Sequence, residues 1–182
     1  AHPMVWNGQH FLGLEDLSKE DIQSLIQRAS HFLEAGNRYE PNAPLTGKII
    51  ANLFMENSTR TRCSFTIATK RLGGDCIDLL GGTSSASKGE TLVDTAMNLE
   101  AMGVAGIAVR CSEECGPSDI ASNVGIPVIN AGSGTASHPT QALLDAGTLL
   151  HHFGCDDLSG QHIAIVGDIT HSRVARSNVI GL

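Results

Sequence analysis

Short apolar runs of strand length alternate with longer segments of helical spacing, and that alternation constrains the fold of this chain more than any other feature. The apolar runs are 48–54, 75–80, 106–110 and 127–130. The helical segments are 18–35, a stretch opened by Ser58, 90–102, and a short one at 118–124. In the first of these, Ile22, Leu25, Ile26, Ala29, Phe32 and Leu33 share one face behind a capping-box-like Ser18 and Asp21, and Gly36 ends it. Strands and helices alternating at this spacing predict an α/β fold, a parallel sheet with helices on both faces. Ligands of such sheets sit at the carboxyl ends of the strands. That rule puts Ser58, the 81–89 loop, Arg110 and the segment after Asn130 on one rim.

The second half changes character. After a Gly/Ser-rich turn, His138 and Pro139 open a helix expected to run to Phe153, with Pro139 at a first-turn position where its missing N–H costs nothing. His151 and His152 suit the negative end of that helix. A further strand is expected from Gln161 to Asp168 and a helix from Ser172. A strand and part of a helix cannot bury their own faces. The expected division is therefore a first domain over 1–138, a linking helix over 139–153, and the start of a second, Rossmann-like α/β domain over 154–182.

Composition narrows the function. With 41% hydrophobic and 17% charged residues the chain is ordinary for a globular protein, and no apolar run is long enough for a membrane span. Ala1 to Trp6 lack the features of a signal peptide. A net charge of -7 argues against a nucleic-acid surface. Five cysteines make no disulfide framework, so a reduced, cytoplasmic compartment is expected. Cys111 and Cys115 are a lone pair at borderline metal-ligand spacing, and no metal or organic cofactor is expected. Neither a Gly-x-Gly-x-x-Gly fingerprint after the Ile163–Val166 run nor a Gly-x-x-x-x-Gly-Lys-Ser/Thr loop is present.

The stretch Ser58-Thr59-Arg60-Thr61-Arg62 carries the chemistry. A helix built for stability alone prefers acids in its first turn, each contributing roughly 0.3–1 kcal/mol against the macrodipole. Here arginines stand in their place. Free backbone N–H groups, hydroxyls and guanidinium forks at a helix start make a pocket for a small phosphorylated anion. Other residues are ambiguous by themselves. Ser58 could be a plain N-cap, Arg110 a surface cation, His138 a helix cap, and the 81–89 loop a solvated linker.

Four segments together reduce that ambiguity: Ser58 to Arg62, Ser87-Lys88-Gly89-Glu90-Thr91-Leu92, His138-Pro139-Thr140-Gln141-Ala142-Leu143-Leu144-Asp145, and Val166 to Ser177. The chain resembles the catalytic chain of the aspartate carbamoyltransferase family over essentially all of its residues, but only over the first part of a full-length member. The resemblance implies that Ser58, Thr59, Arg60 and Thr61 hold the phosphate of carbamoyl phosphate. It implies that Thr61, Arg110 and His138 bond the carbamoyl oxygen, Arg110 the phosphate as well, and Gln141 the carbamoyl amide. Ser84 and Lys88 would reach a neighbouring subunit's site, so that active sites are shared in a homotrimer, with Lys88 touching phosphate and the incoming L-aspartate. Arg173 would bind an aspartate carboxylate, while Asp168, Ser172 and Arg176 read as structural. Arg60, Thr61, Arg110, His138 and Lys88 would form the catalytic set.

The implied reaction is attack of the neutral aspartate amine on carbamoyl phosphate, giving N-carbamoyl-L-aspartate and phosphate in pyrimidine synthesis. Positioning and electrostatic stabilisation would supply the catalysis. Such a chain is expected to bind carbamoyl phosphate but to turn over poorly without the rest of an aspartate domain. A regulatory chain or a dihydroorotase is a possible partner that the residues do not specify. Two further classes stay open, an ornithine carbamoyltransferase and a non-catalytic trimeric binding or assembly subunit. The Lys88-Gly89-Glu90-Thr91-Leu92 loop favours the aspartate enzyme over the ornithine one.

Overall fold

Residues 8–35, 42–81 and 90–182 are described by a computed structural model. Ala1 to Trp6, the helix stop at Gly36, and the loop residues Ser84 and Lys88 lie outside the described residues. The elements are α1 (Lys19–Ala35), β1 (Ile49–Phe54), α2 (Thr59–Arg71), β2 (Asp75–Leu80), α3 (Leu92–Ala101), β3 (Gly106–Cys111), α4 (Gly116–Ala121), β4 (Val128–Ser133), α5 (Pro139–Phe153) and α6 (Arg173–Gly181). The four strands pair in parallel in the order β2-β1-β3-β4.

Strand composition explains that order. The inner strands β1 and β3 are apolar along nearly their whole length and buried on both faces, as parallel strands under two helical layers must be. β2, which carries Asp75 and Asp78, lies at an edge and is mostly exposed. Ala51, Leu53, Ile107, Val109 and Cys111 turn to one face and pack with Ala96 and Leu99 of α3 and Ile120 of α4. Phe54 and Ala108 turn to the other, against Phe65 of α2. Near β4, Phe11, Leu14, Leu25, Ala142 and Ile129 form a smaller cluster between α1 and α5. Phe11 also bonds the outer edge of β4, donating to the Val128 carbonyl and accepting from the Asn130 N–H, each at 2.8 Å.

Local signals behave as expected at several ends. The Ser18 hydroxyl accepts from the Asp21 N–H at 3.1 Å, and the Asp21 carboxylate accepts from the Ser18 N–H at 3.1 Å. Ser172 caps α6 by accepting from the Ala175 N–H at 3.2 Å. The short helix lies earlier than the expected 118–124, because Pro117 suits its first turn. β4 runs on past Asn130 to Ser133, through a register irregularity opposite Val109 and Cys111.

One element differs in kind. The strand expected from Gln161 to Asp168 does not form, and Val166 is 93% exposed. An extended segment becomes a strand only when a neighbour takes its backbone hydrogen bonds, and no partner strand stands beside this one among the described residues. The helix beyond it does form, with Ala175 and Ser177 buried. Gly181 lies so close to Leu14 that a Cβ there would stand 2.9 Å from the leucine side chain. Among the described residues no helix is long and apolar enough to cross a membrane.

A candidate anion-binding active site

From β1 the chain crosses through α2 to β2 on one side, and β3 lies on the other side of β1, so the strand order reverses between β1 and β3. Such a reversal opens a crevice at the carboxyl ends of the strands. Here it is a cleft of about 1170 Å³. Ser58, Thr59, Arg60 and Thr61 enter it from the start of α2, Arg110 from β3, His138, Thr140 and Gln141 from the start of α5, and Arg173 from the start of α6. Thus eight of the ten expected site residues converge on one cavity, and the other two, Ser84 and Lys88, lie outside the described residues.

The start of α2 is open where its neighbours are closed. Thr91 and Asp94 close the start of α3 with a full capping box. Ser58 occupies the N-cap position of α2 with extended backbone, yet its hydroxyl makes no capping bond and no acid follows in the first turn. The orphan N–H groups at this helix end therefore have no side-chain acceptor of their own. The two arginines of the first turn have separate tasks. Arg60 lines the cleft. Arg62 turns away and pairs with Asp78 of β2 at 2.7 Å, and Asn52 donates to the same carboxylate at 2.8 Å. The expectation that both serve an anion is corrected: Arg62 docks α2 on the sheet.

Glu56 pairs with both Arg110 and Arg173. Its Oε2 is 2.8 Å from Arg173 Nη2 and 3.5 Å from Arg110 Nε. Arg110 Nη1 also donates to the Ala131 carbonyl at 3.2 Å. Burial, and then the charge of Arg173, lowers the Arg110 pKa against the opposing pull of Glu56. It remains a cation at any physiological pH. Arg110 Nε and Arg173 Nη1 are buried donors with no hydrogen-bond acceptor, and groups of this kind favour an arriving anion. Gly132 makes the convergence possible. At φ +126° it holds a conformation that side chains disfavour, and a Cβ there would stand 3.0 Å from Arg110 Nη1 and 3.3 Å from Arg173 Nη1. The buried Asn130 fixes it by accepting from the Gly132 N–H at 2.8 Å.

His138 is 6% exposed and occupies the N-cap position of α5 without capping through its ring. Its backbone N–H donates to Ser177 Oγ of α6 at 2.9 Å, which ties that helix beneath the site. Burial first, then the charges of Arg110 and Arg173, pushes its pKa down to about 4, with Asp145 pulling the other way. At neutral pH it is a neutral imidazole that still offers one N–H. Gln141 Nε2 donates to Asp145 Oδ1 at 2.8 Å, which leaves its carbonyl oxygen as the end for the cleft.

The residues read as structural make local hydrogen bonds and do not line the cleft. Asp168 lies 2.9 Å from the ring of His171, and Arg176 donates to the Thr170 carbonyl at 3.1 Å. The Cys111 and Cys115 pair divides: Cys111 is buried, its thiol pushed up to about 12 by burial and by Glu113, whereas Cys115 is exposed. No pattern in the sequence singles out Glu56, Gly132 or Asn130. The nearest signal is an acid two residues beyond a strand end in an otherwise basic stretch.

This cleft gathers an open helix start, the guanidinium groups of Arg60, Arg110 and Arg173, a neutral imidazole and an amide carbonyl oxygen, a set suited to a small polar anion. Known proteins share its framework. The aspartate carbamoyltransferase catalytic subunit of Rhodospirillum centenum is 49% identical over 172 residues, or 94% of this chain and 54% of its own length. That of Aliarcobacter butzleri is 50% identical over 171 residues, 93% of this chain and 56% of its own. The chain thus spans about half the length of these curated relatives. Aspartate transcarbamoylase from Trypanosoma cruzi in complex with carbamoyl phosphate superposes with a TM-score of 0.86 at 34% identity, over 97% of this chain and 57% of that one. Ornithine carbamoyltransferase from Thermus thermophilus does so with a TM-score of 0.81 at 32% identity, over 92% and 56%. The family model for the aspartate/ornithine carbamoyltransferase carbamoyl-P binding domain matches residues 9–151, and the chain belongs to that family.

Proposed function

We propose that this chain is the carbamoyl-phosphate half of an aspartate carbamoyltransferase catalytic chain. In this reading residues 1–138 are the carbamoyl-phosphate domain, 139–153 the helix between domains, and 154–182 the beginning of the aspartate-binding domain. The observation that carries it is the convergence of the open α2 start, Arg60, Arg110, a neutral His138 and Gln141 in one cleft. The phosphate group sits at the first turn of α2, bonded by Ser58, Thr59, Arg60 and Thr61. The carbamoyl oxygen faces Thr61, Arg110 and His138, and the carbamoyl NH2 donates to the Gln141 carbonyl. Arg173 receives a carboxylate of L-aspartate.

The neutral aspartate amine attacks the carbonyl carbon, forming the new C–N bond. Negative charge develops on the carbamoyl oxygen, where preformed donors stabilise it. The C–O bond to phosphate then breaks, and the leaving phosphate takes the amine proton, so no protein general base is required. The product is N-carbamoyl-L-aspartate, an intermediate of pyrimidine synthesis in the cytoplasm. Lys88 and Ser84 act from a neighbouring subunit of a homotrimer.

Calorimetric titration with carbamoyl phosphate, and then with an aspartate analogue, tests the reading. Wild-type protein binds carbamoyl phosphate and Arg60→Ala binds it weakly. Equal indifference of both to that ligand would overturn the assignment. Likeness to the Thermus thermophilus enzyme keeps ornithine as the second candidate acceptor. Preferential carbamoylation of ornithine by the full-length protein would decide for it.

A further inference from the structure

Asp145 stands one helical turn beyond Gln141 on α5, outside the lining of the cleft. Both of its carboxylate oxygens are taken by amide donors. Gln141 Nε2 donates to Oδ1 at 2.8 Å, and Asn178 Nδ2, reaching over from α6, donates to Oδ2 at 2.8 Å. The neighbouring α6 residue, Ser177, accepts the His138 backbone N–H at 2.9 Å, so this stretch of α6 supports both polar groups at the start of α5.

An ionised carboxylate accepts and never donates. A glutamine beside one therefore has a single favourable orientation, with its NH2 toward the acid and its carbonyl oxygen away. Without that partner the two ends of the amide exchange freely, and either can face the cleft. The distinction matters for the ligand of the proposed function, on which this inference rests. The NH2 of carbamoyl phosphate is donor-only in practice, so a glutamine turned the wrong way would set donor against donor. We propose that Asp145 is a positioning residue: it locks the Gln141 amide with its oxygen facing the ligand, and Asn178 holds Asp145 in turn. The site thereby selects an acyl phosphate that carries an N–H on its carbonyl carbon over one that carries a methyl group.

Carbamoyl phosphate and acetyl phosphate differ in that one group, and inorganic phosphate lacks the acyl part. Titrating all three into the wild-type chain, Asp145→Asn, Asn178→Ala, Gln141→Ala and the Asp145→Asn/Gln141→Ala double variant separates the contributions. The wild type prefers carbamoyl phosphate. Asp145→Asn lowers its preference over acetyl phosphate about three- to tenfold, the size of one hydrogen bond, and leaves inorganic phosphate unchanged. Asn178→Ala lowers it by less. In the Gln141→Ala background, Asp145→Asn has no further effect on the preference, which a merely structural role would not produce. Undiminished preference in Asp145→Asn, or equal losses with and without Gln141, overturns the inference and leaves the functional reading intact. Should Asp145→Asn lose inorganic phosphate as well, Asn178→Ala decides alone, and unchanged preference there overturns it. A wild type that does not bind carbamoyl phosphate defeats the functional reading itself and this inference with it.

Discussion

His138 is neutral in the folded protein because three influences oppose its charge: burial, Arg110 and Arg173. The unfolded chain has no such opposition, so its imidazole takes up a proton near the ordinary value of 6.5, whereas the folded one waits until about 4. Below pH 6.5 the unfolded state binds more protons, and stability falls with pH. The contribution is fully present above the unfolded value and is lost as pH drops through the folded one. It amounts to about 3 kcal/mol in all. Urea denaturation at a series of pH values should show a steeper decline for wild type than for His138→Gln in that window, and parallel declines would refute the assignment. Arg60 presents the opposite economy. As a cation in the first turn of α2 it disfavours the helix by a few tenths of a kcal/mol. Arg60→Ala should therefore leave thermal stability unchanged or slightly raised, while carbamoyl phosphate affinity falls about ten- to a hundredfold. Arg60 is legible in the sequence for that reason: it works against its own helix. Arg62 carries the same signal and misleads, because only the fold reveals that Asp78 lies within 2.7 Å of it.

Among the elements, what could be read depended on where the decisive forces were local. The inner strands announce themselves as short apolar runs, and the cap residues of α1 and α6 make the backbone bonds their sequence suggests. Gln161 to Asp168 has an equally plausible run, but a strand is a relation between two segments, and no apolar pattern supplies the partner. Glu56 and Gly132 are illegible for a similar reason. Their roles exist only once Arg110 and Arg173, from different elements, are brought together. Two helix starts give a direct comparison. Thr91 closes α3 with a reciprocal capping box, and Ser58 leaves α2 open. Thr91→Ala should destabilise the fold by about 1 kcal/mol in urea titrations and spare ligand affinity. Ser58→Ala should do the reverse, with little change in stability and a measurable loss of carbamoyl phosphate binding. If both variants lose stability equally, the α2 start is an ordinary cap.

At the scale of the whole molecule, the electrostatics of the cleft leave a role for a further positive group. The protein carries a net charge of -7, yet Arg60, Arg110 and Arg173 meet in a single cleft, with Glu56 paired to the last two. Glu56 already occupies part of the positive field of Arg110 and Arg173, while carbamoyl phosphate and aspartate are both anions. Lys88 follows β2, an edge strand of the sheet, and in the proposed trimer it completes the site of a neighbour rather than its own. Sharing of this kind has a statistical signature. In Lys88→Ala each cleft keeps Arg60 but receives no lysine; in Arg60→Ala each cleft loses its arginine but the loop stays intact. When equal amounts of the two variants are dissociated, mixed and reassembled, a site formed by the first variant's cleft and the second variant's loop is wild type. Random assembly restores about a quarter of all sites. Tight carbamoyl phosphate sites, counted by titration per chain, should be close to zero in each variant alone and rise to that fraction in the mixture. If Lys88 instead serves the cleft of its own chain, each defect stays with its subunit and mixing restores nothing.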